Sequence, residues 1–321
     1  MNIKSILIVH GEPNTTFSEV LFKYFNSRQF KKNRKKIILI GSRKLLEAQM
    51  RILQFKIKLN EITNVKNSVY KKINIINVNY NFKKPFSKIK ENSNKYIKEC
   101  FEISLKIIKK NKKYALINGP ISKKTFLKKK FPGVTEYIAQ KSGSKEPVML
   151  IYNHQLSVSP LTTHIPLKNV SKFVKKRKII NNLFRINSFY KKELKVNPRI
   201  AILGLNPHCE TTSNVSEEDN EIMPAIKYLK RKKINVYGPI PADTFFLKKN
   251  LKKFDVVLGM YHDQVLTPIK TLFEFNAINI TLGLPFIKIT PDHGPNHEMI
   301  GKNKSDPSSI IYAFNFLNKI K

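Results

Sequence analysis

Asp255-Val-Val-Leu-Gly-Met-Tyr-His-Asp-Gln264 is the stretch on which the fold turns. A short, unbroken apolar run bounded by polar residues marks a strand covered on both faces, the kind that builds parallel sheets. The run stops in His262 and Asp263, side chains able to carry chemistry. The same plan recurs in Arg199-Ile-Ala-Ile-Leu-Gly-Leu-Asn-Pro-His208 and, less regularly, where Leu161-Thr-Thr leads into His164. In open parallel sheets ligands gather beyond the carboxyl ends of the strands, so the residues just past each run are the first candidates for function.

Outward from these runs, further strands are predicted at Ser5 to His10, Lys36 to Ser42, Tyr114 to Asn118, Val148 to Tyr152, Asn235 to Tyr237 and Asn279 to Leu282. Helix-length segments separate them, such as Asn94 to Lys110, where Tyr96, Ile97, Cys100, Phe101, Leu105 and Ile108 recur near helical spacing between lysines. The alternation predicts an α/β protein with mostly parallel sheets and helices on both faces. At 321 residues two lobes are expected. We place lobe one at 1–130 plus 276–321 and lobe two at 131–275. The lysine tracts Lys168 to Lys178 and Lys191 to Lys195 read as exposed helices or lobe connections.

Composition excludes several classes. With 41% hydrophobic residues the chain can bury a core, so wholesale disorder is ruled out. The formal charge of +38 suggests polyanion binding, but only eight of the 60 basic residues are Arg, the residue that base and phosphate recognition favours. Dispersed Lys reads as a solvated face, and no specific nucleic-acid partner is expected. Two cysteines, Cys100 and Cys209, make neither a thiolate-rich zinc site nor a disulfide framework. No stretch approaches a membrane span, and the apolar run Ile6 to Val9 is too short for an export signal. A cytoplasmic protein with no membrane partner is expected.

His164, His208 and His262 lie too far apart for a zinc finger, at a separation suited to ligands on three strand ends. A lone histidine after a strand is more often structural, but each of these sits among Pro, Asn, Thr or Asp. Asp263 and Asp292 adjoin His262 and His293 and could orient an imidazole, act as a base, or simply cap a helix. Gly11-Glu-Pro follows the first strand and precedes a helical stretch, Phe17 to Phe25, which can aim helix amides at a phosphate. No G-x-G-x-x-G motif is present.

Asn118-Gly-Pro-Ile-Ser-Lys-Lys, Gly133-Val-Thr-Glu-Tyr, Thr162-Thr-His-Ile-Pro-Leu, Gly204-Leu-Asn-Pro-His, Gly238-Pro-Ile-Pro-Ala-Asp-Thr, Met260-Tyr-His-Asp-Gln, Asn279-Ile-Thr-Leu-Gly-Leu-Pro-Phe-Ile-Lys and Pro291-Asp-His-Gly follow one another in order. Together they resemble the 4-hydroxythreonine-4-phosphate dehydrogenase family. The resemblance implies an NAD- or NADP-dependent oxidation of 4-phosphohydroxy-L-threonine at C3, then decarboxylation, in pyridoxal 5'-phosphate biosynthesis. It implies a fold similar to the isocitrate and isopropylmalate dehydrogenases and a homodimer with shared active sites. It also implies one divalent metal, such as zinc, magnesium or cobalt, on His164, His208 and His262, with lobe two supplying these ligands and the dimer contacts. Catalysis would fall to these histidines and Lys270, and the phosphorylated substrate would be held by Thr135, Lys270, Asn279 and Lys288. Glu12, Asn206 and Asp243 are the cofactor candidates.

The chain departs from the family at Val134, where His is common, and at Lys288, where Arg is usual. Glycines usual after Gly11-Glu-Pro and after His208 are replaced as well. Val134 keeps open a dehydrogenase of another four-carbon phospho-acid, such as 4-phosphoerythronate or 4-phosphothreonate. A noncatalytic basic nucleic-acid-binding protein is the reading from a different class, and it leaves the strand-end histidines without a purpose.

Overall fold

The computed structural model describes residues 3–128, 130–211, 216–274, 276–291 and 297–320. Its strands are β1 (Ser5–Val9), β2 (Lys36–Gly41), β3 (Leu59–Glu61), β4 (Ile73–Asn77), β5 (Tyr114–Asn118), β6 (Val148–Tyr152), β7 (Ser157–Thr162), β8 (Ile200–Leu203), β9 (Val236–Ile240), β10 (Val256–Tyr261), β11 (Ile278–Leu282) and β12 (Lys288–Pro291). Helices of eight residues or more are α1 (Phe17–Phe25), α2 (Arg43–Ile52), α3 (Asn94–Lys110), α4 (Val134–Lys141), α5 (Lys176–Phe189), α6 (Met223–Arg231), α7 (His262–Phe273) and α8 (Ser308–Lys319). The chain divides into two compact units, 1–147 with 284–321, and 148–283.

In the first unit the strands run β3-β4-β2-β1-β5-β12, and every neighbouring pair is parallel. The sequence of β1, Ser-Ile-Leu-Ile-Val, is buried at all five positions. Leu7, Val9, Ile38 and Ile40 form one face and pack with Ile97, Phe101 and Leu105 of α3. The alternate residues Ile6, Ile8, Ile37 and Leu39 are equally buried. Both faces are therefore covered, as a parallel sheet requires. Tyr24 of α1 stacks on Phe314 of α8, with ring centres 3.9 Å apart and planes 8° from parallel.

In the second unit the order is β11-β6-β7-β10-β8-β9. β7, β10, β8 and β9 are mutually parallel, while β6 is antiparallel to both β7 and β11. Val158, Ala201, Leu203 and Val257 pack against Val265, Leu266 and Ile269 of α7. Ile179, Leu183 and Ile186 of α5 and Leu229 of α6 are also fully buried. Among the described residues no helix is long and apolar enough to cross a membrane, and Cys100 and Cys209 are both free thiols.

The mostly parallel α/β architecture is the expected one, and Tyr114–Asn118, Val148–Tyr152 and Asn94–Lys110 form as read from the sequence. β3, β4 and β12 add strands that the sequence reading did not give, and β7 begins at Ser157, ahead of the run read there from Leu161. The expected boundaries near 130 and 275 lie short of the observed unit ends at Pro147 and Gly283. Two packing choices account for the difference. Tyr137 and Ile138 of α4 belong to the core of the first unit, and β11 pairs along its whole length with β6 in the second. The tracts Lys168–Lys178 and Lys191–Lys195 lie within the second unit, in or beside helical turns, and connect no units.

Phe101 is fully buried and meets Tyr137 of α4 edge to face at 5.6 Å. Phe101→Ala should cost about 3–5 kcal/mol of stability, read as a lower urea midpoint. A loss under about 1 kcal/mol would contradict the packing described.

Candidate active site

Parallel pairing delivers three of the candidate side chains to neighbouring strand ends. β10 lies between β7 and β8, with Tyr261 opposite Thr162 and Leu258 opposite Ile202. His164 follows β7, His262 opens α7 directly after β10, and His208 follows β8. The Thr162 hydroxyl donates to the Met260 carbonyl at 2.7 Å, tying the ends of β7 and β10 together. The His164 and His262 rings come within 5.9 Å, centre to centre, at 36°. His262 Nδ1 lies 2.6 Å from Asp263 Oδ1. With Asp263 accepting from Nδ1–H, Nε2 becomes the nitrogen available to a ligand.

That pair suits a divalent ion. At metal–nitrogen bonds of about 2.0–2.1 Å, two imidazoles on one ion have ring centres about 5–6 Å apart, and a carboxylate behind one ring is the usual support for such a ligand. His208 is not gathered with them within one chain: among the described residues no group of three His, Cys, Asp or Glu forms a metal site. His164 and His208 both hold left-handed backbone, with φ of 34° and 57°.

Two residues outside the predicted set shape this end of the sheet. Gln264 accepts from Met260 N at 2.7 Å and donates to Gly204 O at 2.8 Å, linking the start of α7 to the end of β8. Buried Glu218 accepts from Leu205 N, Asn206 N and Asn206 Nδ2 at 2.7–2.9 Å, holding the loop that carries His208. Glu218 stands in an acidic run, Glu217-Glu-Asp, and only its burial sets it apart from a solvated charge. Asn206, a cofactor candidate, thus has its amide engaged by Glu217 and Glu218. Asp243 is exposed in the first turn of the short helix Ala242–Phe245. Lys270 is exposed on α7, eight residues and about 12 Å of helix beyond His262. Asn279, the second residue of β11, buries its Oδ1 with no hydrogen-bond partner among the described residues. A buried acceptor of this kind is satisfied by a water, an ion or a ligand.

In the first unit, Lys288 opens β12 with no exposed surface. Its ammonium donates to Thr135 Oγ1 at 3.3 Å. Thr135 stands in the first turn of α4, and next to it Glu136 leaves Oε2 buried without a partner. Burial lowers the Lys288 pKa from 10.5 to about 7, and the charge of Glu136 opposes that fall. Val134, before them, packs against the apolar core. Nearby, Thr290 donates to Asn118 Oδ1 at 3.0 Å.

At the end of β1 a buried polar cluster organises the first turn. His10 Nε2 meets Ser18 Oγ at 2.7 Å and Nδ1 meets the Tyr96 hydroxyl at 2.9 Å, while Ser18 donates to Gln49. Complete burial lowers the His10 pKa to about 4, so this imidazole is neutral. Gly11 takes φ +75°, and a Cβ there would strike the Pro120 carbonyl. Glu12, another cofactor candidate, is buried and accepts from Ser93 and from Asn14, its pKa raised by desolvation. It serves the turn itself. His10 follows a strand just as the chosen histidines do, and that position was the one signal that could have found it. Asp292 and His293 lie outside the described residues.

The chain matches the pyridoxal phosphate biosynthetic protein PdxA family over residues 33–317. It is 38% identical over 312 residues to a 4-hydroxythreonine-4-phosphate dehydrogenase of Sulfurihydrogenibium sp., spanning 96% of this chain and 95% of that one. A crystal structure of a 4-hydroxythreonine-4-phosphate dehydrogenase from Burkholderia phymatum superposes with a TM-score of 0.83 at 26% identity, covering 99% of each chain. A β-decarboxylating dehydrogenase from Thermococcus kodakarensis shares the fold alone, with a TM-score of 0.50 at 12% identity over 98% of this chain and 82% of that one.

The lowered Lys288 pKa has a sign that stability measurements can read. Above pH 7 the folded chain has released the Lys288 proton, whereas the unfolded chain keeps it up to about pH 10. Unfolding in that window takes up a proton, so Lys288 makes stability rise with pH. Lys288→Met should be more stable than wild type at pH 7, by a margin that shrinks toward pH 9. Urea unfolding of both proteins at the two pH values checks this, and a margin independent of pH would contradict it.

Proposed function

Because the chain belongs to the pyridoxal phosphate biosynthetic protein PdxA family, we propose that it is an oxidoreductase acting on a CH–OH group. Its substrate is 4-phosphohydroxy-L-threonine, oxidised at C3 with NAD or NADP and then decarboxylated to 3-amino-2-oxopropyl phosphate. The observation that carries this reading is the pairing of His164 and His262 at adjacent parallel strand ends, with Asp263 behind His262.

His164 and His262 from one chain, with His208 from a partner copy, would hold one divalent ion such as zinc, magnesium or cobalt. A homodimer sharing its sites in this way accounts for a single chain in which the third ligand stands apart. Such an ion would supply the Lewis acidity that lowers the pKa of the C3 hydroxyl and steadies the charge left by carboxylate loss, and a nicotinamide would supply the hydride acceptor.

The rest falls to the protein's own side chains. Lys288 and Lys270 supply cations for the substrate's phosphate and carboxylate. Thr135 and the unsatisfied Asn279 Oδ1 orient it by hydrogen bonds. Asp263 fixes the His262 tautomer and is placed to receive a proton. Of the cofactor candidates, Asp243 keeps an exposed carboxylate for a ribose, while Glu12 and Asn206 each brace the turn of their own unit.

A second reading, oxidation of 4-phosphoerythronate or 4-phosphothreonate, is favoured by Val134. Its side chain packs on the core and gives no polar contact where the family commonly has one. Steady-state turnover on each purified substrate separates the readings. Preference for 4-phosphohydroxy-L-threonine is expected, and activity confined to the amine-free acid would replace the first reading by the second.

His208→Ala should lower turnover by about a hundredfold or more while leaving the melting temperature near that of wild type. Mixed with His164→Ala, it should recover part of the lost activity, since one site of each mixed dimer is whole. No recovery would place all three ligands in one chain. Lys288→Ala should raise KM, and Lys288→Arg should preserve it. An unchanged KM in the alanine variant removes Lys288 from substrate binding.

A further inference from the structure

We propose that a lysine-lined cavity at the amino-terminal edge of the first sheet binds a compact polyanion of the diphosphate class. The cavity has a volume of about 330 Å³ and is lined by Lys4, Lys36, Lys66 and Lys113, with Tyr70 and Tyr114 among its walls. It sits at the opposite end of β1 from Gly11-Glu-Pro, a strand length of about 17 Å away. This inference is independent of the dehydrogenase reading.

Backbone pairing brings three of these lysines to one end of the sheet. Lys4 N donates to Lys113 O at 2.9 Å, and Lys36 N donates to Lys4 O at 3.3 Å. The three lysines therefore occupy the entrances of β5, β1 and β2, neighbouring strands about 4.8 Å apart. Lys66 joins them from the turn Val65–Asn67. No carboxylate lines the cavity, and among the described residues none of the four lysines has an ion-pair partner. A cavity lined by cations with no carboxylate among them favours an anion, and salt screens that attraction only in part within a Debye length.

The walls match the same ligand. Lys36 Nζ stands 5.0 Å from the centre of the Tyr70 ring, which restrains that cation at the cavity mouth. Asn111 Oδ1 accepts from Lys113 N at 3.0 Å, leaving its amide nitrogen as a neutral donor. A diphosphate spreads a larger charge over two linked phosphoryl groups and can reach donors on separate strands, whereas a carboxylate or sulfate is smaller and carries less charge. The volume admits either inorganic diphosphate or the diphosphate end of a nucleotide.

A chain of +38 binds many polyanions loosely, so the test compares positions rather than charge. Calorimetric titration with inorganic diphosphate and, separately, with ADP should be run on wild type, on Lys4→Gln with Lys113→Gln, and on a control, Lys191→Gln with Lys192→Gln. Both pairs remove two positive charges from exposed side chains. The cavity pair should weaken diphosphate binding by about tenfold and the control by less than about twofold. Unfolding temperature and dehydrogenase turnover should stay at wild-type values in both. Tighter ADP binding identifies a nucleotide as the source and equal affinities the inorganic ion, and either outcome supports the site. Equal losses in the two variants, or no preference for diphosphate over sulfate in wild type, would overturn it.

Discussion

Everything placed at the candidate active site of the second unit depends on the parallel register of β7, β10 and β8. Parallel strands leave their carboxyl ends on one side of the sheet, and three consecutive ones here each run out into a histidine. Sliding β10 by one residue would exchange the sheet faces of its side chains and remove Val257 from the core that it shares with Val158 and Ala201. Apolar packing at the strand centres thus governs the imidazoles at their ends.

The first unit handles a different problem, a cation held without water. Lys288 sits inside a well-packed unit where, among the described residues, the Thr135 hydroxyl is its hydrogen-bond partner and the Glu136 carboxylate influences its charge. Such a group weakens the fold unless an anion arrives, and a ligand that supplies the anion gains what folding had lost. The arrangement fits a residue whose value lies in binding. The structural load is carried instead by neighbours such as Phe101 and Tyr137, which fix α4 and with it Thr135.

The sequence disclosed most where chemistry and periodicity coincided. Continuous apolar runs located β1, β5 and β6, and the lysine-spaced apolar positions located α3. β12 stayed hidden because it begins with a lysine, and β3 because it is three residues long at a sheet edge. The unit boundaries were misjudged because α4 looks like any short surface helix until Tyr137 and Ile138 are seen in the core. At the site, motif position picked out Lys288 among many lysines, yet nothing in the chain's letters announced its burial. Glu218 and Gln264 stayed unseen for the same reason. Their importance comes from partners distant in sequence, and a single chain of letters does not print those pairings.

His164 and His208 invite a final thought about what selects a residue. Both occupy a backbone conformation that glycine and asparagine adopt with the least resistance. Asparagine is abundant throughout this chain, so a supply of the easier residue is not lacking. Local comfort of the main chain therefore does not account for an aromatic ring at either place. What distinguishes imidazole from a carboxamide is a lone pair on a basic nitrogen, and the proposed ion site would draw on that electronic property at both turns.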